Sequence, residues 1–245
     1  MRAVLHDRET KADAVATAPR SGDPPTELRT TAGNVALQEY RATLGEHVWR
    51  ILHTGAVLTA QDELDVIRDR EARLPYGIAL WPASIALAHE IIGRADEVRG
   101  RRVLELGAGT GLPGIVAASL GARVIQTDRQ QAALHLCRLN GERNGVRGVE
   151  HRLADWATWD DATRYDWIVG SDILYATTMH TNLRRIFETN LAPGGRILLS
   201  DPFRRASFGV LEPLEAAGWT IKLTKWSVGE DGAQSPVGVY ELSPG

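Results

Sequence analysis

The chain has 245 residues, 43% of them hydrophobic and 24% charged, enough apolar material for one soluble α/β domain with a sizeable core and too little length for two full domains. A formal net charge of -3 and a pI near 6.2 exclude the concentrated positive surface that binding nucleic acid or an anionic membrane requires, so neither is expected as a partner. One cysteine, Cys137, excludes an internal disulfide and fits a reducing compartment, and the seven histidines show no metal-ligand spacing, so no metal is expected.

The first residues combine Arg2 with Asp7, Glu9 and Asp13 and lack the apolar stretch of a targeting peptide; a cytoplasmic monomer is the expectation. Residues 1–30 are polar, with Ala-Pro-Arg-Ser-Gly-Asp-Pro-Pro over 18–25, and read as a disordered tail. Leu37, Tyr40, Leu44 and Val48 step by three and four, which predicts a helix from Val35 to about Leu52, with an extended reading open for Val48–Leu58. Thr59 followed by Asp62 resembles a capping box and suggests a short helix to about Ile67. Pro75-Tyr76-Gly77 breaks the pattern. Leu80-Trp81-Pro82-Ala83-Ser84 then opens a helix whose apolar face is Ile85, Ala88, Ile91 and Ile92, with Gly93 as its C-terminal cap. Trp81 either packs at that helix start or walls a ligand pocket.

Val103-Leu-Glu-Leu-Gly-Ala-Gly-Thr-Gly-Leu-Pro-Gly-Ile115 is the sequence form of a strand, a tight loop and a helix N-terminus. Gly109, Gly111 and Gly114 fit the G-x-G-x-x-G spacing of a dinucleotide turn. Gly107, Gly109 and Gly111, with Glu105 two residues before them, equally fit a G-x-G-x-G turn, the form in S-adenosylmethionine-dependent class I methyltransferases, which the stretch resembles. A carboxylate at the strand end repels a pyrophosphate and attracts the ammonium of a methionine moiety, which favours the second template.

Strands are expected near 102–106, 123–127, 149–154, 166–171 and 196–200, with helices near 112–120, 130–140, 178–191 and 206–217 and with Gly121 and Pro193 as stops. This alternation implies a Rossmann-like, mostly parallel sheet between two helical layers. Thr220–Val228 and Val237–Leu242, joined through Gly229-Glu-Asp-Gly232 without a helix, should close it as an antiparallel hairpin. A dinucleotide fold would continue with parallel units instead.

Ligands of such sheets bind beyond the carboxyl ends of the strands. The second end carries Asp128-Arg129, seventeen residues past Gly111, where one carboxylate can accept both hydroxyls of a ribose or, more plainly, cap the following helix. The third carries Asp155-Trp156, suited to an adenine amine and ring or to capping a loop. The fourth carries Ser171-Asp172-Ile173-Leu174-Tyr175.

Asp172-Ile-Leu-Tyr175 after Ile-Val-Gly-Ser resembles the Asp-x-x-Tyr/Phe signature of the seven-β-strand protein-lysine methyltransferases, a family grouped with nicotinamide N-methyltransferase-like sequences. Leu80–Ser84 is similar to that family's Trp-containing entry segment, Asn140 and Asn144-Gly145 to its asparagines after the helix, and Asp155-Trp156 to its adenine-side pair. The resemblance covers about 75–243 and implies a seven-stranded sheet, S-adenosylmethionine as cofactor and a protein lysine as methyl acceptor, with a small-molecule acceptor or a non-catalytic scaffold as alternatives. It implies cofactor contacts from Trp81, Glu105, Gly107, Ala108, Gly109, Thr110, Gly111, Asp128, Arg129, Asp155, Trp156 and Ser171, and catalytic roles for Asp172 and Tyr175. Residues 31–245 are then a single methyltransferase domain, 31–80 an accessory segment and 81–245 the cofactor-binding core. Asp201-Pro202-Phe203 resembles an amide- and adenine-methylation motif but follows the fifth strand instead of the fourth, so it reads as a strand-ending turn. The pairs Arg101-Arg102 and Arg204-Arg205 read as solvated faces, and Cys137 as inert packing.

Overall fold

The computed structural model describes residues 4–6, 11–15, 26–30, 33–55, 76–230 and 233–245. Its elements in chain order begin with five strands: β1 (Val4–His6), β2 (Lys11–Val15), β3 (Thr26–Thr30), β4 (Gly33–Leu44) and β5 (His47–His53). There follow α1 (Pro82–Ile92), α2 (Ala95–Val98), β6 (Arg102–Leu106), α3 (Leu112–Ser119), β7 (Arg123–Asp128), α4 (Gln131–Arg143) and β8 (Glu150–Leu153). The chain ends with β9 (Tyr165–Ser171), α5 (His180–Asn190), β10 (Leu191–Asp201), α6 (Phe208–Ala216), β11 (Thr220–Glu230) and β12 (Ala233–Ser243). Among the described residues no helix is long and apolar enough to cross a membrane.

Seven strands in the order β8-β7-β6-β9-β10-β12-β11 form the body of the sheet. All neighbours are parallel except β12, which is antiparallel to β10 on one side and to β11 on the other. The C-terminal hairpin inserts its second strand between β10 and β11, and its helix-free link accounts for the antiparallel pairing of β11 with β12. Alternate residues face opposite layers: Val103, Trp167, Val169 and Leu198 pack with α1 and α3, while Leu104, Leu106, Ile168, Ile197 and Leu199 pack with α5 and α6. Burial on both faces explains why β6 and β9 read as nearly unbroken apolar runs, while β8 at the edge, Glu150–Leu153, does not.

The N-terminal third departs from the sequence expectation. The helix read over 35–52 is the hairpin β4–β5, with Leu44 opposite His47 across Gly45-Glu46. Tyr40, Ala42 and Leu44 are buried with more exposed residues between them, a period of two. Val48, the last residue of the supposed helical stripe, is 58% exposed. Gly45, at φ 60°, supplies the left-handed turn that a two-residue hairpin needs. Residues 1–30, read as a disordered tail, contain β1 and β2, both pairing in parallel with β11, and β3, antiparallel to β4. An open sheet edge satisfies backbone donors and acceptors whatever the side chains are, which is how so polar a stretch acquires strands. The helix expected at Thr59–Ile67 lies outside the described residues. Gly93 follows α1 as expected but keeps a right-handed φ of -60° instead of a left-handed cap.

The β4–β5 hairpin is fastened to α4 by two asparagine amides that act as a surrogate strand. Asn144 accepts from Arg50 N and donates to Arg50 O, both at 2.9 Å. Asn140, fully buried, accepts from Leu52 N at 2.7 Å, donates to Leu52 O at 3.0 Å and reaches Thr110 O in the glycine turn at 2.9 Å. Beside them Glu39 pairs with Arg41, Arg50 and Arg143. Burial alone would raise its pKa, but the hydrogen bonds from Arg50, Arg143 and Arg41 hold it at about 2. Asn140→Ala strands three backbone groups in a dry setting, so urea unfolding should show a loss of about 1–3 kcal/mol. Asn144→Ala, at a partly exposed position, should cost less.

Candidate functional site

The glycine turn leaves the carboxyl end of β6, which lies between β7 and β9. Gly107 and Gly109, at φ 65° and 56°, turn the backbone left-handed and face a cavity of about 870 Å³. A Cβ on Gly107 would meet Ile173 at 2.9 Å, and one on Gly109 would meet Gly77 O at 3.1 Å. The turn is pinned from several sides. Ala108 N donates to Thr127 O at 2.9 Å, Gly109 N to Asp128 Oδ2 at 3.1 Å, and Gln126 Nε2 to Gly111 O at 2.8 Å. The Cys137 thiol lies beneath the turn, 3.4 Å from Gly109 O.

Glu105 departs from its expected role. It is 1% exposed, does not line the cavity, and turns under the loop to accept from Gln126 Nε2 at 2.7 Å and Gly114 N at 3.2 Å. Burial raises its pKa, the two donors offset part of this, and the nearby Asp128 adds to it, leaving about 8. Gly111 is likewise a support and not a wall: a Cβ there would meet Cys137 Sγ and Gln126 Nε2, each at 2.9 Å. At Gly114 a Cβ would overlap the Glu105 carboxylate, so a glycine is needed there for close packing.

The other cofactor residues named from the sequence do converge. Trp81, Gly107, Ala108, Gly109, Thr110, Asp128, Arg129, Asp155, Trp156 and Ser171 all line the cavity, together with Asp172 and Tyr175. Asp128, at the end of β7, is 8% exposed and accepts from Gln130 N at 2.8 Å as well as from Gly109. Burial pushes its pKa up, with those two donors opposing. The residue that caps α4 is Gln130, so Asp128 ties the turn to the helix entrance and does not cap. Asp155 accepts from Ala157 N at 2.9 Å and so does cap a short 3-10 turn, Trp156–Thr158, whose tryptophan lies against Gly107.

At the end of β9, Asp172 sits at φ 52°, a left-handed conformation, with its N–H bonded to Ser200 O at 2.8 Å. Non-glycine residues hold such a backbone only where their surroundings impose it, commonly at functional sites. Its carboxylate, 8% exposed, forms an ion pair with Arg204, whose guanidinium carbon lies 5.9 Å from the centre of the Trp81 ring. Tyr175 stands at the mouth, 58% exposed. Arg204 lies inside the cavity, where the sequence reading had placed a solvated pair; its side chain is 20% exposed. The signal lay in register: Ser200 pairs with Ser171, so β10 ends level with Asp172 and the turn at Asp201-Pro202-Phe203 carries Arg204 back over it. Gly77, Gln130 and Met179 also line the cavity without having been singled out.

A space of this size suits a nucleoside-sized ligand. The donor set fits one as well: a glycine cradle that a Cβ would fill, a buried carboxylate at the second strand end, and an aromatic ring at the third. A smaller cavity of about 520 Å³ lies away from the glycine turn, between α1 and the β10, β12 and β11 strands, where Arg94 pairs with Glu90 and Glu241. Among the described residues no three His, Cys, Asp or Glu side chains gather as a metal site.

A family model described as lysine methyltransferase matches residues 59–207. Over 199 residues the chain is 28% identical to the histone-arginine methyltransferase METTL23 of Xenopus laevis, covering 78% of this chain and 80% of that protein. It is 34% identical over 137 residues to the protein N-lysine methyltransferase METTL21A of Xenopus tropicalis, covering 54% of this chain and 63% of that one, so this match spans less than two thirds of the relative. The crystal structure of ribosomal protein L11 methylase from Lactobacillus delbrueckii subsp. bulgaricus superposes with a TM-score of 0.52, 24% identity, and coverage of 68% of this chain and 84% of that one, a likeness of fold.

Glu105 generates a test by its sign. Its folded pKa of about 8 lies above the ordinary 4.5, so the folded protein holds a proton that the unfolded chain releases across that interval. Stability contributed by Glu105 is full below about pH 4.5 and is lost as pH rises through about 8. Glu105→Gln should remove that slope. In urea unfolding the variant should gain on wild type between about pH 5 and about pH 8.5.

Proposed function

The chain belongs to the lysine methyltransferase family, a group that uses S-adenosylmethionine, and on that premise we propose that it methylates the side-chain amine of a protein lysine. The observation that carries this reading is that Asp172, Trp81 and Tyr175 line the same cavity as the glycine turn and Asp128. When bound, the cofactor supplies a methyl group on a sulfonium with a good leaving group. The protein's part is positioning, which as an orientation effect removes several kcal/mol of barrier.

In this reading the backbone of Gly107–Thr110 receives the amino-acid end of the cofactor, Asp128 accepts from both ribose hydroxyls, and Asp155, Trp156 and Arg129 border the adenine. Ser171 and Asp172 flank the reacting centre. The Asp172 carboxylate attracts the acceptor cation and orients the amine, while Trp81 and Tyr175 wall the channel by which it enters. Glu105 and Gly111 contribute indirectly by holding the turn in shape. Residues 31–245 act as one domain, a view supported by the Asn140 link from β5 to the glycine turn. The reading extends to a cytoplasmic monomer acting on a protein; a single, unpaired cysteine fits a reducing compartment, and a net charge of -3 favours neither nucleic acid nor an anionic membrane as partner.

A protein arginine is the second reading. Two observations favour it: the METTL23 relative is named for arginine and aligns over 78% of this chain, and a guanidinium, that of Arg204, already fits between Asp172 and Trp81.

Incubation with methyl-labelled cofactor and a matched cell lysate should label one or a few protein bands, with mass spectrometry locating methyl-lysine. Methyl-arginine would favour the second reading, and label confined to small molecules would contradict both. Asp128→Ala should weaken cofactor affinity at least tenfold, about 1.4 kcal/mol, by calorimetry; unchanged affinity would remove Asp128 from the site.

A further inference from the structure

Arg204 places a cation where the reaction needs another. Its guanidinium pairs with the Asp172 carboxylate and lies over the Trp81 ring, and both partners belong to the acceptor end of the cavity. A carboxylate and an aromatic face are the two surfaces that recognise an organic cation. One site cannot hold two cations on one carboxylate without repulsion, so an incoming ammonium and Arg204 must compete for Asp172.

The local backbone is built to deliver this arginine. Phe203, immediately before it, is held at φ 60°, and Arg204 N donates to the buried Asp201 Oδ1 at 2.6 Å. Ser207 Oγ closes the turn on the same carboxylate oxygen at 3.0 Å. The main chain is therefore fixed, while the long side chain, 20% exposed at the cavity, reaches Asp172 with the Asp201 carboxylate 3.9 Å from the same nitrogen. An arginine needed only to neutralise Asp172 would not have to lie in the open cavity over the tryptophan.

We propose that Arg204 is a resident cation of the acceptor subsite, an internal competitor that occupies the place between Asp172 and Trp81 until an acceptor amine or guanidine displaces it. The proposal rests on the functional reading above in taking that end of the cavity as the acceptor end. Its consequence is selectivity: a free amine must displace Arg204 and so binds weakly, while a cation presented by a partner that binds elsewhere as well overcomes that competition. A subsite competent a tenth of the time shows a tenfold weaker apparent affinity.

The test uses n-butylammonium and n-butylguanidinium as probes, titrated into the full-length protein saturated with S-adenosylhomocysteine. Arg204→Gln and Arg204→Ala should bind n-butylammonium about tenfold more tightly than wild type, whereas Arg204→Lys, which restores a tethered cation, should bind it as weakly as wild type. Equal or weaker binding by Arg204→Gln, or no binding by any form, would overturn the proposal. In the wild-type protein the Arg204 side-chain Nε–H resonance should shift on titration with either probe; a signal that stays fixed while the probe binds would overturn it as well. These readouts require no turnover. Tighter binding by Arg204→Gln with no methylated protein in the lysate assay would refute the proposed function and leave the resident cation standing, and the reverse pair of results would do the opposite.

Discussion

Beneath the glycine turn lies a small polar cluster sealed from water, and the shape of the cavity depends on it. Gln126 binds both the Glu105 carboxyl and Gly111 O, Glu105 receives the Gly114 N–H, and Asn140 receives nothing from solvent while holding Thr110 O and both backbone groups of Leu52. A turn with several left-handed residues has no ladder to stabilise it, so its free backbone groups must find side-chain partners from below. Burial is the reason each of these contacts matters: an unpaired polar group there costs more than a made bond gains. Burial raises the Glu105 pKa to about 8, so near neutral pH the carboxyl group sits protonated under the turn without a counter-charge, its Oε2 paired and its Oε1 buried without a partner.

From that support the rest of the site follows by topology. β6 lies between β7 and β9, so the ends that follow the turn, Asp128 and Asp172, flank it on either side. β10 pairs with β9 and brings the Asp201–Arg204 turn to the same rim, and α1 brings Trp81 to it from above the sheet. Five separate stretches of chain, the glycine turn among them, thus meet at one rim. At the side of the sheet away from β8, β11 of the C-terminal hairpin is left open and accepts the N-terminal strands β1 and β2.

Much of this was legible in the residues. β6, β9 and the second half of β10 are buried on both sides, so their apolar runs are unmistakable, and the glycine spacing and strand-end acids mark the cavity. What was misread has physical causes. The β4–β5 hairpin imitates a helical stripe because Leu37, Tyr40, Leu44 and Val48 happen to fall three and four apart, whereas the true burial alternates and Val48 faces solvent. The N-terminal strands are held by backbone pairing, which leaves no mark on side-chain composition. The position of Glu105 beside the turn was correct, but a strand alternates its side chains, and Glu105 points down to Gln126 and away from the ligand face. Arg204 reads as half of a solvated pair because its partner Asp172 is 32 residues away and only the register of β9 against β10 brings them together.

The claim on which all of this turns is that the space between the glycine turn and Asp128 is shaped for a sulfonium nucleoside and not for a dinucleotide, since the glycine spacing alone admits both. Calorimetric titration of the full-length protein with S-adenosylhomocysteine and, separately, with NAD tests it directly. S-adenosylhomocysteine should bind one per chain with NAD showing no heat of binding; saturable binding of NAD with none of S-adenosylhomocysteine would contradict it.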